Sequence, residues 1–209
     1  MIIGLTGTYC AGKNYIAAIL EKRGLPVLDV DKLGHRAIET EKNSILDRFG
    51  RDILKSDGTI DRKLLGAKVF GKAPELAALE AIIHPAVNRE TSAWIDARME
   101  EPCVINAALL HRSSAFGILD ALIVVEAPFL IRLLRARRRD KLSYGTLLKR
   151  FLSQKEFPSQ YFREQADIYK VKNSCFAGLG FFHFFFPRFF IKPEDRIDEI
   201  LRLFSIFKA

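Results

Sequence analysis

The stretch from residue 2 to 16, IIGLTGTYCAGKNYI, constrains this chain more than any other. An apolar run with the composition of a buried strand leads into Gly7-Thr8-Tyr9-Cys10-Ala11-Gly12-Lys13-Asn14, and an apolar pattern of helical period follows. Strand, glycine loop and helix in that order match G-x-x-x-x-G-K, with Asn14 where Ser or Thr usually stands. Glycines let successive backbone N–H groups converge on an anion, and the helix N-terminus behind them adds a partial positive charge. Lys13 then acts as a mobile point charge for the outer phosphates of a nucleotide. The competing reading is a tight strand-to-helix turn that merely contains Gly and Lys. The flanking strand and helix are the context that the phosphate reading requires.

The remaining composition narrows the class. At 209 residues the chain suits a single domain, 1–209, with room for an inserted subdomain. A hydrophobic share of 49% excludes a disordered chain. Cys10, Cys103 and Cys175 are scattered, with neither metal-ligand spacing nor a disulfide framework, which points to a reducing compartment. Met1 leads directly into the first strand without a signal peptide, and no run reaches the ~20 apolar residues of a membrane span. The expected location is cytoplasmic. The net charge of +8 is concentrated: between Arg132 and Arg150 eight Lys and Arg residues face Asp140 alone. A patch of that kind implies a polyanionic partner, either nucleic acid or nucleotide phosphates.

Taken in order, helical periodicity runs from Tyr15 to Arg23 and stops at Gly24 and Pro26. Residues 26–30 read as a second strand, ending at Asp29-Val30-Asp31. Two carboxylates two residues apart share one side of an extended chain. Ligands of parallel α/β sheets bind at the carboxyl ends of strands. One of the pair can therefore accept a proton from a substrate hydroxyl and the other hold Mg²⁺ through water, while helix capping by Asp31 is the plainer role. Residues 43–98 read as a largely helical insertion, with caps at Ser44 and Asp61, a turn at Asp57-Gly58, and a break from helix geometry at His84-Pro85. His84 taken alone is more often a structural histidine than a ligand contact. Residues 103–107, 121–125 and 168–171 read as three further strands, the first two apolar on both faces.

After Pro128 a helix carries Arg132, Arg135 and Arg139 on one face, and a second helix runs from Ser143 to Gln154 with Arg150 on it. Two Arg-rich helices joined by a short turn suit a lid, about 129–165, that closes over phosphates and excludes water. A solvated basic face is the alternative. Residues 160–167 read as a short helix and 193–207 as a final amphipathic one. Ten of the 17 Phe residues lie from Phe176 onward; the segment 176–191 is interrupted by His183, Pro187 and Arg188, which excludes a bilayer span and leaves packing or self-association ahead of membrane contact.

Assembled in this order, the residues resemble the dephospho-CoA kinase family from Met1 to about Ser174. IIGLTG…GK is similar to its phosphate loop, VLDVDKLGH to its D-x-D after strand two, and IIHP to its acceptor-binding region. RARRRDKLS and KRFLSQ resemble its lid, and Ala166-Asp167…Asn173 the segment closing on adenine. The resemblance implies an α/β P-loop kinase fold: a five-stranded parallel sheet flanked by helices, a helical acceptor-binding subdomain and an Arg-rich helical lid. It implies transfer of phosphate from ATP, with Mg²⁺, to the ribose 3′-hydroxyl of dephospho-CoA, giving coenzyme A and ADP. Cys10, Ala11, Gly12, Lys13, Asn14 and Tyr15 would hold ATP phosphates, with Arg139 and Arg150 clamping from the lid and Asn173 at the adenine. Asp31 would be the general base, with Lys13 and Arg139 also catalytic; Asp29, Asp31 and His84 would meet the acceptor; Asn14 would be the metal ligand.

The chain departs from the family pattern in three places. Gly12-Lys13-Asn14-Tyr15 stands where the family has Gly-Lys-Ser-Thr, so an amide oxygen of longer reach replaces a hydroxyl. Ala108-Leu109-Leu110-His111-Arg112 stands where it has Pro-Leu-Leu-Phe-Glu, which reverses a charge, and the Phe-rich run has no counterpart. The alternatives are another nucleotide or small-metabolite kinase, or a non-catalytic nucleotide-binding relative, which Asn14 and Arg112 motivate. Nucleic-acid binding is disfavoured, because only Tyr144 and Phe151 interleave the basic residues.

Overall fold

A computed structural model describes residues 1–152, 166–174 and 192–204. Its sheet is organised around β1 (Ile2–Gly7), buried from Ile3 onward. A strand apolar on both faces belongs inside a covered sheet, and β1 occupies the centre. β2 (Val27–Asp29), β3 (Cys103–Asn106), β4 (Ala121–Glu126) and β5 (Asp167–Lys172) complete the order β2-β3-β1-β4-β5. β1 pairs in parallel with β3 through Ile2↔Cys103 and with β4 through Ile3↔Ala121, and β4 pairs in parallel with β5 through Ala121↔Asp167. In this register the carboxyl ends of β1, β3, β4 and β5 lie along one edge of the sheet. Gly7, Asn106, Glu126 and Lys172 are the last residues of those strands.

The helices, in chain order, are α1 (Lys13–Lys22), α2 (Val30–Thr40), α3 (Lys42–Phe49), α4 (Arg62–Val69), α5 (Ala73–Asp96), α6 (Phe129–Asp140), α7 (Tyr144–Leu152) and α8 (Pro193–Leu203). The chain divides into two compact units, one of residues 1–28 and 98–209, the other of residues 29–97. In the first, α1 buries Ile16, Ala17, Ile19 and Leu20 against Ile3, Leu5, Val104 and Ile123 of the sheet. α8 adds Ile197, Ile200 and Leu201 to the same core. It is tied to α1 by a two-bond pair in which Arg23 donates to Asp198 at 2.8 and 2.9 Å, and by a hydrogen bond from the Tyr15 hydroxyl to Glu194. α1 ends where Gly24, at φ +84°, lets the Leu25 N–H return to Leu20 O at 3.2 Å. Among the described residues no helix is long and apolar enough to cross a membrane.

The second unit, Asp29–Ala97, is helical around its own core of Ile45, Phe49, Ile53, Ile60, Leu65, Val69 and Leu79. Asp61 caps α4 by accepting from the Lys63 and Leu64 N–H groups, and Pro74 opens α5. The Asp57-Gly58 turn forms as the sequence predicts, with Gly58 at φ +79° and Asp57 accepting from the Thr59 N–H at 2.8 Å.

Several local expectations change. The second strand stops at Asp29 and the chain turns helical at Val30, so Asp29 and Asp31 do not share one side of an extended segment. The cap of α2 is Asp29, which accepts from the Lys32 N–H at 3.2 Å; Asp31 lies in the first helical turn. Ser44 is inside α3 and caps nothing there, because the helix already starts at Lys42. His84-Pro85 does not break α5, which continues for 24 residues. Proline removes one intrahelical bond, and burial of Leu79, Ala86, Val87, Thr91 and Ile95 on both sides of it holds the helix together. β5 begins at Asp167, where a helix end was expected. Ala166 is a bend, and residues 160–165 of that short helix, Gln154 at the end of the second Arg-rich helix, and the segment 176–191 lie outside the described residues.

Candidate phosphate-binding site

The loop between β1 and α1 is set by close approaches that only glycine permits. A Cβ on Gly7 would lie 2.8 Å from Val125 O, and the next N–H, of Thr8, donates to that same carbonyl at 3.3 Å. The Ala11 N–H donates to Thr8 O at 2.9 Å, which closes the turn, and the Ala11 methyl is buried in the core. Cys10 sits at φ +59° and Gly12 at φ +95°, both left-handed. At Gly12 a Cβ would also run into the Asn173 side-chain amide, so glycine is required there twice over. α1 opens at Gly12 without a side-chain cap, which leaves its positive end to a ligand.

The loop is held from behind by two residues that arrive from distant parts of the chain. Asn173, 2% exposed at the end of β5, donates its amide to Ala11 O at 2.9 Å. Arg135 of α6 donates from one nitrogen to Ala11 O at 2.9 Å and Cys10 O at 3.4 Å. From the other nitrogen it donates to Asn173 O at 3.2 Å and Asn173 Oδ1 at 3.3 Å. One planar fork thus joins loop and strand end, which a lysine could not do. The Asn173 side chain, expected at the adenine, is engaged with the loop itself.

In front of α1, Lys13 Nζ donates to Asn106 Oδ1 at 2.6 Å, and Asn106 Nδ2 donates to Asn14 Oδ1 at 3.5 Å. Asn106, 2% exposed at the end of β3, therefore aims both the lysine and the Asn14 amide. Asn14 offers a neutral oxygen of the hard type Mg²⁺ takes. Among the described residues no three His, Cys, Asp or Glu side chains gather as a metal cage. The Asn14 amide oxygen is therefore the donor on this loop whose chemistry fits Mg²⁺.

α6 and α7 pack through Ala136, Leu147 and Phe151, with Tyr9 and Cys10 of the loop against them. Lys141, at φ +53°, ends α6, and Ser143 caps α7 by accepting from the Thr146 N–H at 3.3 Å. At this elbow Asp140 accepts from Arg139 Nε at 2.7 Å, from Arg150 at 3.3 Å and from the Tyr9 hydroxyl. The Arg139 bond is the main reason the Asp140 carboxyl is held below its ordinary range, and the same bond raises Arg139 further. Burial pushes the Cys10 thiol up, so it stays protonated at neutral pH.

The structure thus gathers the predicted Cys10, Ala11, Gly12, Lys13, Asn14, Arg139, Arg150 and Asn173 around one loop in the first unit. Tyr15 faces α8 through Glu194. Asp29, Asp31 and His84 belong to the second unit: Asp29 caps α2, Asp31 is exposed in its first turn, and His84 is half-buried within α5. Sequence reasoning placed Arg135 on the basic face of the lid helix without a role of its own, and gave no role to Asn106, Tyr9 or Asp140. A polar residue closing an apolar strand was the available signal for Asn106. Nothing local distinguished Arg135 from its four basic neighbours in α6.

The dephospho-CoA kinase family model matches residues 1–174, the span that holds every one of these groups. The chain belongs to the dephospho-CoA kinase family. A dephospho-CoA kinase of Treponema denticola is 33% identical over 185 residues, covering 83% of this chain and 82% of that protein. A crystal structure from Thermus thermophilus superposes with a TM-score of 0.76 at 27% identity, covering 100% of this chain and 98% of that one. The Campylobacter jejuni dephospho-CoA kinase shares the fold, with a TM-score of 0.60 at 22% identity over 100% and 98% of the two chains.

Proposed function

We propose that this chain transfers the γ-phosphoryl group of ATP to the ribose 3′-hydroxyl of dephospho-CoA, giving coenzyme A and ADP in the cytoplasm. Family membership supports the reaction. The observation that carries it is the phosphate loop braced by Arg135 and Asn173 with Arg139 and Arg150 gathered beside it. Phosphoryl transfer depends on positioning and charge neutralisation more than on covalent chemistry. The loop N–H groups and Lys13 would bind the β- and γ-phosphates, while Arg139 and Arg150 neutralise charge from the lid. Asp31, exposed right after the carboxyl end of β2, would take the 3′-hydroxyl proton as the O–Pγ bond forms and the bond to ADP breaks. Asp29 and His84 would bind the acceptor. Mg²⁺ would be held at Asn14 Oδ1 and would offset phosphate charge.

The test is acceptor-dependent ADP formation, with the product identified by mass as coenzyme A. The expected result is ADP and coenzyme A in equal amounts, requiring dephospho-CoA and Mg²⁺. ATP binding without acceptor-dependent ADP release would overturn the kinase reading in favour of a non-catalytic relative.

A further inference from the structure

Tyr9, the second variable position of the phosphate loop, turns its side chain toward α6 and α7. Its hydroxyl donates to Asp140. Its ring carries the Arg139 guanidinium at 5.2 Å from the ring centre and meets the Phe151 ring edge-on at 5.2 Å. Arg150 lies 3.4 Å from the same hydroxyl. Asp140, only 15% exposed, in turn receives Arg139 Nε at 2.7 Å and a second Arg139 nitrogen at 3.3 Å. The Arg139 side chain itself is 61% exposed. Without such contacts an arginine so open to water would sample many rotamers, and a phosphate that recruited it would have to order it on binding. The Tyr9 ring below and Asp140 beside it remove that cost in advance.

We propose that Tyr9 is a positioning residue that holds Arg139 and the α6–α7 elbow against the phosphate loop, so that the lid's charge is set before the triphosphate arrives. The proposal rests on the reading of this loop as the ATP site. It assigns the hydroxyl and the ring separate tasks. The hydroxyl orients Asp140, which grips Arg139, and the ring supplies the cation–π face on which Arg139 lies.

The test is a thermodynamic cycle in ATP affinity, measured by calorimetry with Mg²⁺ present, over wild type, Tyr9→Phe, Arg139→Ala and the double variant. Tyr9→Phe keeps the ring and loses one hydrogen bond, and should weaken ATP about fivefold. In the Arg139→Ala background the same substitution should cost less than twofold, because its effect runs through Arg139. Two results overturn the proposal: Tyr9→Phe binding ATP within twofold of wild type, or the full loss persisting without Arg139, as a merely structural tyrosine would show. Should Tyr9→Phe fail to fold, Tyr9→Trp, which keeps an aromatic face for Arg139 and loses the hydroxyl bond to Asp140, must show the same loss and the same dependence on Arg139. Wild-type turnover of dephospho-CoA is measured in parallel. A wild type that binds ATP but does not turn over fails the kinase reading and leaves the cycle to judge Tyr9; one that binds no ATP overturns both.

Discussion

Replacing Arg135 by lysine separates the two jobs of its guanidinium. In the native chain one nitrogen holds Ala11 O at 2.9 Å and the other holds Asn173 O at 3.2 Å. A single ammonium can keep one of these and must release the other. A hydrogen bond from a charged donor contributes about 1.5–3 kcal/mol. The lower figure applies here, because Arg135 is only half-buried and Ala11 O, when released, keeps the Asn173 amide. The expected loss is about 1.5 kcal/mol, roughly tenfold in the balance between braced and loosened loop. Amide exchange reads this directly. The Ala11 N–H, bonded to Thr8 O, and the Asn173 N–H, bonded to Glu126 O at 2.7 Å, should both exchange about tenfold faster while amides of α8 stay unchanged. ATP affinity should fall by a similar factor. If exchange at both amides and ATP affinity all stay within twofold of wild type, the brace is not what holds the loop.

Three further outcomes follow from the same geometry. Asn173→Asp puts a carboxylate oxygen where an amide donated to Ala11 O at 2.9 Å, so two acceptors face each other; ATP binding should weaken by about tenfold or more despite a stronger pairing with Arg135, read by calorimetry. Asp31→Asn should cut kcat by at least about a hundredfold with ATP affinity kept within about threefold, and full turnover would remove Asp31 as base. Asn14→Ser should hold or raise kcat at limiting Mg²⁺, whereas a large loss would show a site built around the Asn106–Asn14 contact at 3.5 Å.

What could be read in advance was whatever local chemistry dictates. Gly7 and Gly12 announced a loop that must approach other backbone closely, and the structure shows that approach at Val125 O and at the Asn173 amide. The apolar runs of β1, β3 and β4 announced a parallel sheet. Errors fell where two local signals competed. Asp29 and Asp31 are both good caps, and the choice of Asp29 depends on where β2 stops pairing. Pro85 is a helix breaker by its own chemistry, yet the burial of residues on either side outweighs one lost bond. Arg135, Asn106 and Tyr9 were illegible for another reason. Each acts across the fold, on partners 38 to 131 residues away, and periodicity carries no information at that range.

The central place of β1 also fixes an order of assembly. During synthesis β1 emerges well before either neighbour, since it pairs with Cys103–Asn106 and with Ala121–Glu126. At ribosomal speeds of about 5–20 residues per second, the first of those partners follows roughly 5–20 s later. The loop waits longer still, because Asn173, which holds Ala11 O, comes at the end of β5. The nucleotide site is thus written first and finished last. A chain halted before residue 173 would carry every letter of the glycine motif and still lack the side chain that holds Ala11 O.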